Sequence, residues 1–255
     1  MNLDQELSKL LQDIAATTVH RPIANSDIIP LIDLTLLDEQ ASSQDIEALA
    51  VKAELHQVAA VCLLPQHLGD ISSALSVKRA TVVNFPGGDQ PQEQMLDSLE
   101  QLLNMQQVDE IDYVFSYQAY LAGQQSLALA WCKQAYQRCK QHKILFKVIV
   151  EVGAFPSLAL IYQASIDIIN NGCDFLKTST GKITTGASIP AAFALLSAIK
   201  NTDTPCGIKL SGGIRTTHQA ISYLQLAQYM LNRKAENNWI RFGASGLLDD
   251  LLPPQ

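Results

Sequence analysis

Short apolar runs alternate with longer amphipathic stretches along most of the 255-residue chain. The runs Ile28–Leu34, Ala59–Leu64, Ala80–Phe85, Glu110–Phe115, Ile144–Glu151, Phe175–Thr178, Gly207–Leu210 and Ile240–Gly243 are predicted as eight strands. Between them, Ser43–His56, Gln92–Met105, Gln118–His142 and Ser157–Asn171 repeat apolar residues at i, i+3 and i+4 and predict helices with one buried face. The leading MNLDQELSKLLQDIAATT is acidic and amphipathic, so residues 1–25 read as an N-terminal helix and its lead-in. Repeated strand–helix units imply parallel strands covered by helices. Eight of them in this length predict an α/β fold, a closed (β/α)8 TIM barrel with an extra N-terminal helix. A doubly wound open sheet would carry a glycine-rich turn after its first strand. Here that strand runs into Leu34-Thr35-Leu36-Leu37-Asp38. No Pro/Gly/Ser-rich linker divides the chain, so residues 1–255 are expected to form one domain.

Charge and composition narrow the function. The formal charge is −7 and no run of Lys/Arg forms a stripe, which argues against nucleic acid. An anion site must therefore be local and work against the global field. The N-terminus lacks the basic and apolar regions of a signal peptide, and no apolar run reaches the ~18 residues of a membrane span, so no membrane partner is expected. The five cysteines show no CxxC and read as reduced core residues of a cytoplasmic protein. The five histidines show no HExxH, and no metal is expected.

Several ionisable residues lie inside strand runs, among them Asp33 in LIDLT, Asp112 in EIDYVF, Lys147 in LFKVIVE, Lys177 in FLKTS and Lys209 in GIKLS. One such residue could be a satisfied ion pair or a lysine reaching the rim. Five at equivalent places point to a shared polar cavity, where titratable groups acquire shifted pKa values. Two neighbouring lysines suit nucleophilic amine chemistry. Free lysine holds its proton to ~10.4. Burial and a second ammonium both disfavour the charged form, leaving an amine that attacks a carbonyl and forms a Schiff base. This logic alone does not say which lysine attacks. An aspartate with a water could move the protons.

Three late loops carry small residues with free backbone N–H groups: Thr178-Ser179-Thr180-Gly181-Lys182, Ser211-Gly212-Gly213 and Gly243-Ala244-Ser245-Gly246. Barrels often bind phosphate at the ends of their last strands. A small phosphosugar is the expected substrate. Phe85-Pro86-Gly87-Gly88-Asp89 reads only as a turn.

With LIDLT at 31–35, AAVCLLP at 59–65, TVVNFPGG at 81–88, DEIDYVF at 109–115, KVIVEVG at 147–153, GCDFLKTSTGK at 172–182, GIKLSGGIRT at 207–216 and RFGAS at 241–245, the chain resembles the deoxyribose-phosphate aldolases. The resemblance implies reversible cleavage of 2-deoxyribose 5-phosphate to glyceraldehyde 3-phosphate and acetaldehyde, a step of deoxynucleoside catabolism needing no cofactor. It implies that Lys177 forms the Schiff base, that Lys209 depresses its pKa and that Asp112 is the acid/base working through water. It further implies that Asp33 and Lys147 belong to the supporting network and that Gly181, Lys182, Gly212, Gly213, Ser245 and Gly246 grip phosphate. The chain departs from the pattern at Ser116, Val152 and Gly246, and it ends Leu251-Leu252-Pro253-Pro254-Gln255 in place of a tail with a terminal tyrosine. Rival readings are another Schiff-base barrel aldolase or transaldolase, a phosphosugar-binding protein without catalysis, and an isomerase with Glu151 as base. The sequence does not determine the oligomeric state; a homodimer is the working expectation.

Overall fold

The computed structural model describes residues 3–16, 23–72, 74–105 and 107–253. Eight parallel strands close into a barrel in chain order: β1 (Ile32–Leu36), β2 (Ala60–Leu63), β3 (Lys78–Val83), β4 (Glu110–Val114), β5 (Leu145–Ile149), β6 (Phe175–Lys177), β7 (Gly207–Ser211) and β8 (Ile240–Ala244), which pairs back with β1. Helices α1 (Leu3–Ala16) and α2 (Asn25–Ile28) precede the barrel. Around and between its strands run α3 (Ser43–His56), α4 (Gln92–Asn104), α5 (Tyr117–Leu121), α6 (Gln125–Gln141), α7 (Leu158–Asn171), α8 (Ile189–Lys200), α9 (Thr217–Leu231) and α10 (Leu247–Leu251). This is the (β/α)8 barrel that the alternation predicts.

The helix starts are written in short polar signals. The side-chain oxygens of Ser42, Ser157, Ser188 and Thr216 accept the N–H of the residue three positions on and cap α3, α7, α8 and α9. At Ser42 and Thr216, Asp45 and Gln219 return the bond and complete capping boxes.

Two predicted elements differ. The run 28–34 is not strand throughout. Asn25–Ile28 is helical and Ile29–Leu31 is a 3-10 turn with Pro30 near its start, so β1 begins at Ile32. Ile28 and Leu31 are buried, which is why an apolar count could not tell turn from strand. The long helix 118–142 is two helices. Gly123 sits at φ +88, a conformation that helical continuation forbids, and the chain restarts at Gln125.

The core wraps the outside of the barrel, where strand residues meet the helices. All five cysteines are buried free thiols. Helix α8 is apolar on every side, and each residue from Ala191 to Ile199 is buried. A barrel helix normally leaves one face wet. Here α1 lies against α7, α8 and α9, with Leu3 and Leu7 buried. The extra helix therefore covers an outer face that its sequence could not leave in water. Replacing Leu7 by Ala should cost about 2–4 kcal/mol of unfolding free energy, the range for a buried leucine. The exposed Lys9→Ala should be close to neutral. Urea denaturation checks both, and equal effects would mean that α1 contributes no packing.

Candidate active site

Strand alternation points residues i and i+2 to one face. In this barrel it sends Asp33 (β1), Glu110 and Asp112 (β4), Lys147 (β5), Lys177 (β6), Lys209 (β7) and Arg241 (β8) to the interior, where all seven are buried and meet across the barrel. Register places Asp112 opposite Lys147, Lys177 opposite Lys209, and Lys209 opposite Arg241. The Asp112 carboxylate is the hub. Its Oδ2 accepts from Lys177 Nζ and Lys209 Nζ, both at 2.7 Å, and its Oδ1 accepts from Lys147 Nζ at 2.9 Å. Lys209 Nζ also lies 2.6 Å from Asp33 Oδ2. Below this layer, Arg241 joins Asp33 Oδ1 at 2.7 Å to Glu110 Oε1 at 3.2 Å, and Lys147 Nζ lies 2.5 Å from Glu110 Oε2. Room for Lys209 comes from Gly243, where a Cβ would stand 2.9 Å from Lys209 Cε.

Three carboxylates thus face four basic groups, so one positive charge is in excess inside the barrel. The pKa directions show which group bears the strain. Burial disfavours the ammonium of Lys147, but Asp112 and Glu110 outweigh it and raise the pKa. Burial likewise opposes charge on Lys209, and Asp112 and Asp33 hold it well above the ordinary lysine value. Lys177 alone of the three is lowered. Burial is the main cause, Asp112 opposes it, and the Lys209 ammonium adds to it. Burial should also raise Asp33 and Asp112, yet the surrounding cations hold both below the carboxylate range. The arrangement keeps Asp112 ionised and makes Lys177 the amine that gives up its proton most readily.

Lys177 also lines a cavity of about 320 Å³ at the C-terminal mouth of the barrel. Gly181, Lys182, Gly212, Gly213 and Ser245 form its wall with Lys177. The first two of the late loops are knitted together. Thr178 Oγ1 donates to Ser211 O, Ser211 Oγ donates to Ser179 O, and Ala187 N donates to Gly212 O. Gly212, at φ +92, has Gly186 so close that a Cβ would meet its Cα at 2.9 Å. Gly246 is not part of the cavity wall. The lining ends at Ser245, where the backbone turns into α10, and Gly246 caps that helix at φ −105.

A model of the DeoC/LacD family aldolases matches residues 27–250. The chain is 38% identical over 231 residues to a deoxyribose-phosphate aldolase of Agrobacterium fabrum, covering 88% of each chain. The chain belongs to the DeoC/LacD aldolase family. Among solved structures, a deoxyribose phosphate aldolase from Aeropyrum pernix, described as a tetramer, superimposes with a TM-score of 0.77 at 25% identity, covering 95% of each chain. An aldolase named QR15 gives 0.75 at 25% identity, covering 88% of this chain and 95% of that one.

The aldolase thus brings Lys177, Lys209, Asp112, Asp33 and Lys147 into one buried cluster, and five of the six predicted phosphate residues to its mouth. Three contributors escaped the sequence reading. Glu110 and Arg241 share the interior cluster, and Arg215 lines the cavity with Thr35–Asp38 of the β1 loop. Glu110 stands two residues before Asp112 on one strand, so the same alternation could have found it. Among the described residues, no group of three or more His, Cys, Asp or Glu is placed to hold a metal ion, and no helix is long and apolar enough to cross a membrane.

Replacing Lys209 by Leu removes a like charge beside Lys177 and frees Asp112 and Asp33 of one cation each. Both effects favour the ammonium of Lys177. The pH midpoint for chemical modification of Lys177, followed by mass spectrometry, should therefore move upward in the variant. A midpoint that stays put or falls would show that Lys209 does not depress Lys177.

Proposed function

We propose that this aldolase reversibly cleaves 2-deoxy-D-ribose 5-phosphate to D-glyceraldehyde 3-phosphate and acetaldehyde through a Schiff base on Lys177. The observation that carries the reading is the placement of Lys177. It is the one interior lysine with a lowered pKa, and it opens into the cavity shared by Lys182, Arg215 and the glycine loops. The 38% identical relative bears the name of this activity.

The chemistry follows from the geometry. The neutral Lys177 amine attacks C1 of the open-chain aldehyde, and the carbinolamine takes up one proton from solvent and loses water to leave a protonated imine. Asp112, through a water, takes the proton of the C3 hydroxyl. The C2–C3 bond breaks, its electron pair flows towards nitrogen, and C3 leaves as the aldehyde of glyceraldehyde 3-phosphate. The remaining enamine takes a proton at C2, and water releases acetaldehyde. Lys209 and Lys147 keep Asp112 ionised between turns, while Asp33 holds Lys209 in place. At the far end of the cavity, the phosphate meets Lys182, Arg215 and the backbone of Gly181, Gly212 and Gly213. The buried free thiols suit a cytoplasmic setting.

Borohydride reduction in the presence of 2-deoxyribose 5-phosphate should add the mass of the reduced donor to the peptide carrying Lys177. An adduct confined to Lys209 would exchange the two roles, and no adduct would remove the covalent mechanism.

Asp112→Asn separates binding from turnover. Loss of the carboxylate removes an attraction that favours the Lys177 ammonium, so the amine should still react and the imine should still be trapped. The amide cannot accept the proton, and kcat should fall by about 10²–10⁴-fold. Full turnover, or failure to trap any imine, would refute the proton-transfer role.

A further inference from the structure

Glu151 is buried, yet it lies outside the lysine–aspartate cluster. It stands just after β5 at φ +60 and ψ +59, a left-handed conformation that a non-glycine residue adopts only when its surroundings hold it there. Those surroundings are the segment after β6. Val150 N donates to Lys177 O at 2.8 Å, and Val152 N donates to Thr178 O at 2.9 Å. Glu151 is thus fixed between two main-chain ties to the strand end that carries Lys177. Its carboxylate reaches over this segment to Thr180. Oε2 accepts the Thr180 hydroxyl at 2.5 Å, and Oε1 lies 3.3 Å from the Thr180 N–H. With its proton committed to Glu151, the Thr180 oxygen turns its lone pairs the other way and accepts the Lys182 N–H at 3.1 Å. Between Thr180 and Lys182 stands Gly181 at φ +79.

These bonds form a chain from a rigid strand end to the turn that walls the cavity. Removing Glu151 frees the hydroxyl of Thr180, and the 180–182 turn loses its fixed orientation. Nothing in the chain is hydrogen-bonded to Asp112 or to the Lys177 amine, and the charge of Lys177 is the last of the influences on Glu151, behind burial and the bonds to Thr180. We infer that Glu151 is a positioning residue for the phosphate-facing turn: acting through Thr180, it sets affinity for the phosphate end of the substrate and leaves carbonyl chemistry at Lys177 unaffected. The inference rests on the deoxyribose-phosphate reading and deepens it.

The test uses Glu151→Ala, Glu151→Gln, Thr180→Val and the double variant Glu151→Ala/Thr180→Val. KM and kcat are measured with 2-deoxyribose 5-phosphate, and borohydride trapping on Lys177 is measured with unphosphorylated 2-deoxyribose. Glu151→Ala should raise KM about tenfold, the effect of one charge-assisted hydrogen bond, with kcat changed far less. Glu151→Gln retains an oxygen that accepts the hydroxyl and should recover most of the affinity. Thr180→Val should reproduce Glu151→Ala, and the double variant should be no worse than the poorer single one, because both cut the same chain. Trapping with the unphosphorylated sugar should match the wild type. A loss of kcat at unchanged KM, additive single effects, or equal damage with both sugars would overturn the inference, the last by showing a general structural role that Glu151→Gln would rescue on both. Wild-type protein that traps no adduct would overturn the imine reading and this inference with it. Wild-type trapping with unaltered KM in the variants would overturn this inference alone.

Discussion

Everything at the mouth of this barrel depends on one carboxylate oxygen shared by two amines. Asp112 Oδ2 is 2.7 Å from both Lys177 and Lys209, in a region from which water is almost wholly excluded. Two ammonium groups at that distance from a single oxygen repel one another strongly, because the interior screens charge poorly. Asp33 resolves the conflict in favour of Lys209, which it approaches at 2.6 Å. Lys177 has no second carboxylate within ion-pair distance among the described residues, and it is the one whose proton is held loosely. The asymmetry between two chemically identical side chains is therefore a matter of which has two anionic neighbours and which has one.

Such a cluster is a poor way to stabilise a fold. Desolvating so many ionised groups costs several kcal/mol each before their mutual attraction is counted, and well-packed apolar side chains often do as well. The fold carries this burden with the ring of apolar packing outside the strands and with devices such as α1, which seals the apolar outer face of α8. The closed sheet supplies the other requirement. Register fixes Lys177 opposite Lys209 and Asp112 opposite Lys147 to within a residue, and a slip by one would turn each side chain into the helical layer.

The barrel was legible because alternating strand and helix periods survive without detailed contacts, and the reactive lysines because charges inside apolar runs are conspicuous. KTSTG and GIKLSGG named the family as well. What stayed hidden had the opposite character. Ile28–Leu31 is as apolar as a strand but curls into turns around Pro30, since burial and not periodicity is all that such a short run records. Arg241 is the second residue of the strand IRFGA and resembles an ordinary arginine at a strand start until the barrel closes and brings it against Asp33 and Glu110. Glu151 reads from sequence as the candidate base of an isomerase, because its bond to Thr180 leaves no mark on the sequence. The late loops were visible as runs of small residues, but Arg215 and the segment after β1 join them at the cavity only through tertiary approach.

The excess positive charge also gives direction to the proposed reaction. Once Lys177 has given up its proton, three cations are matched with three carboxylates. A protonated imine restores the fourth cation and unbalances the cluster again. When the C2–C3 electron pair moves towards nitrogen it neutralises that cation, and the C3 hydroxyl proton passing to Asp112 neutralises one carboxylate in the same step, so cleavage leaves the net charge of the cluster unchanged. Lys209 and Lys147, which hold their protons firmly, keep the other cations in place throughout the step. Asp112 limits the effect from the other side. Its carboxylate sits beside the imine nitrogen and keeps that cation from being so costly that it never forms. The site thus works between two limits, enough positive charge to draw electrons and enough negative charge to let the imine exist, and both are set by residues that do not themselves become bonded to the sugar.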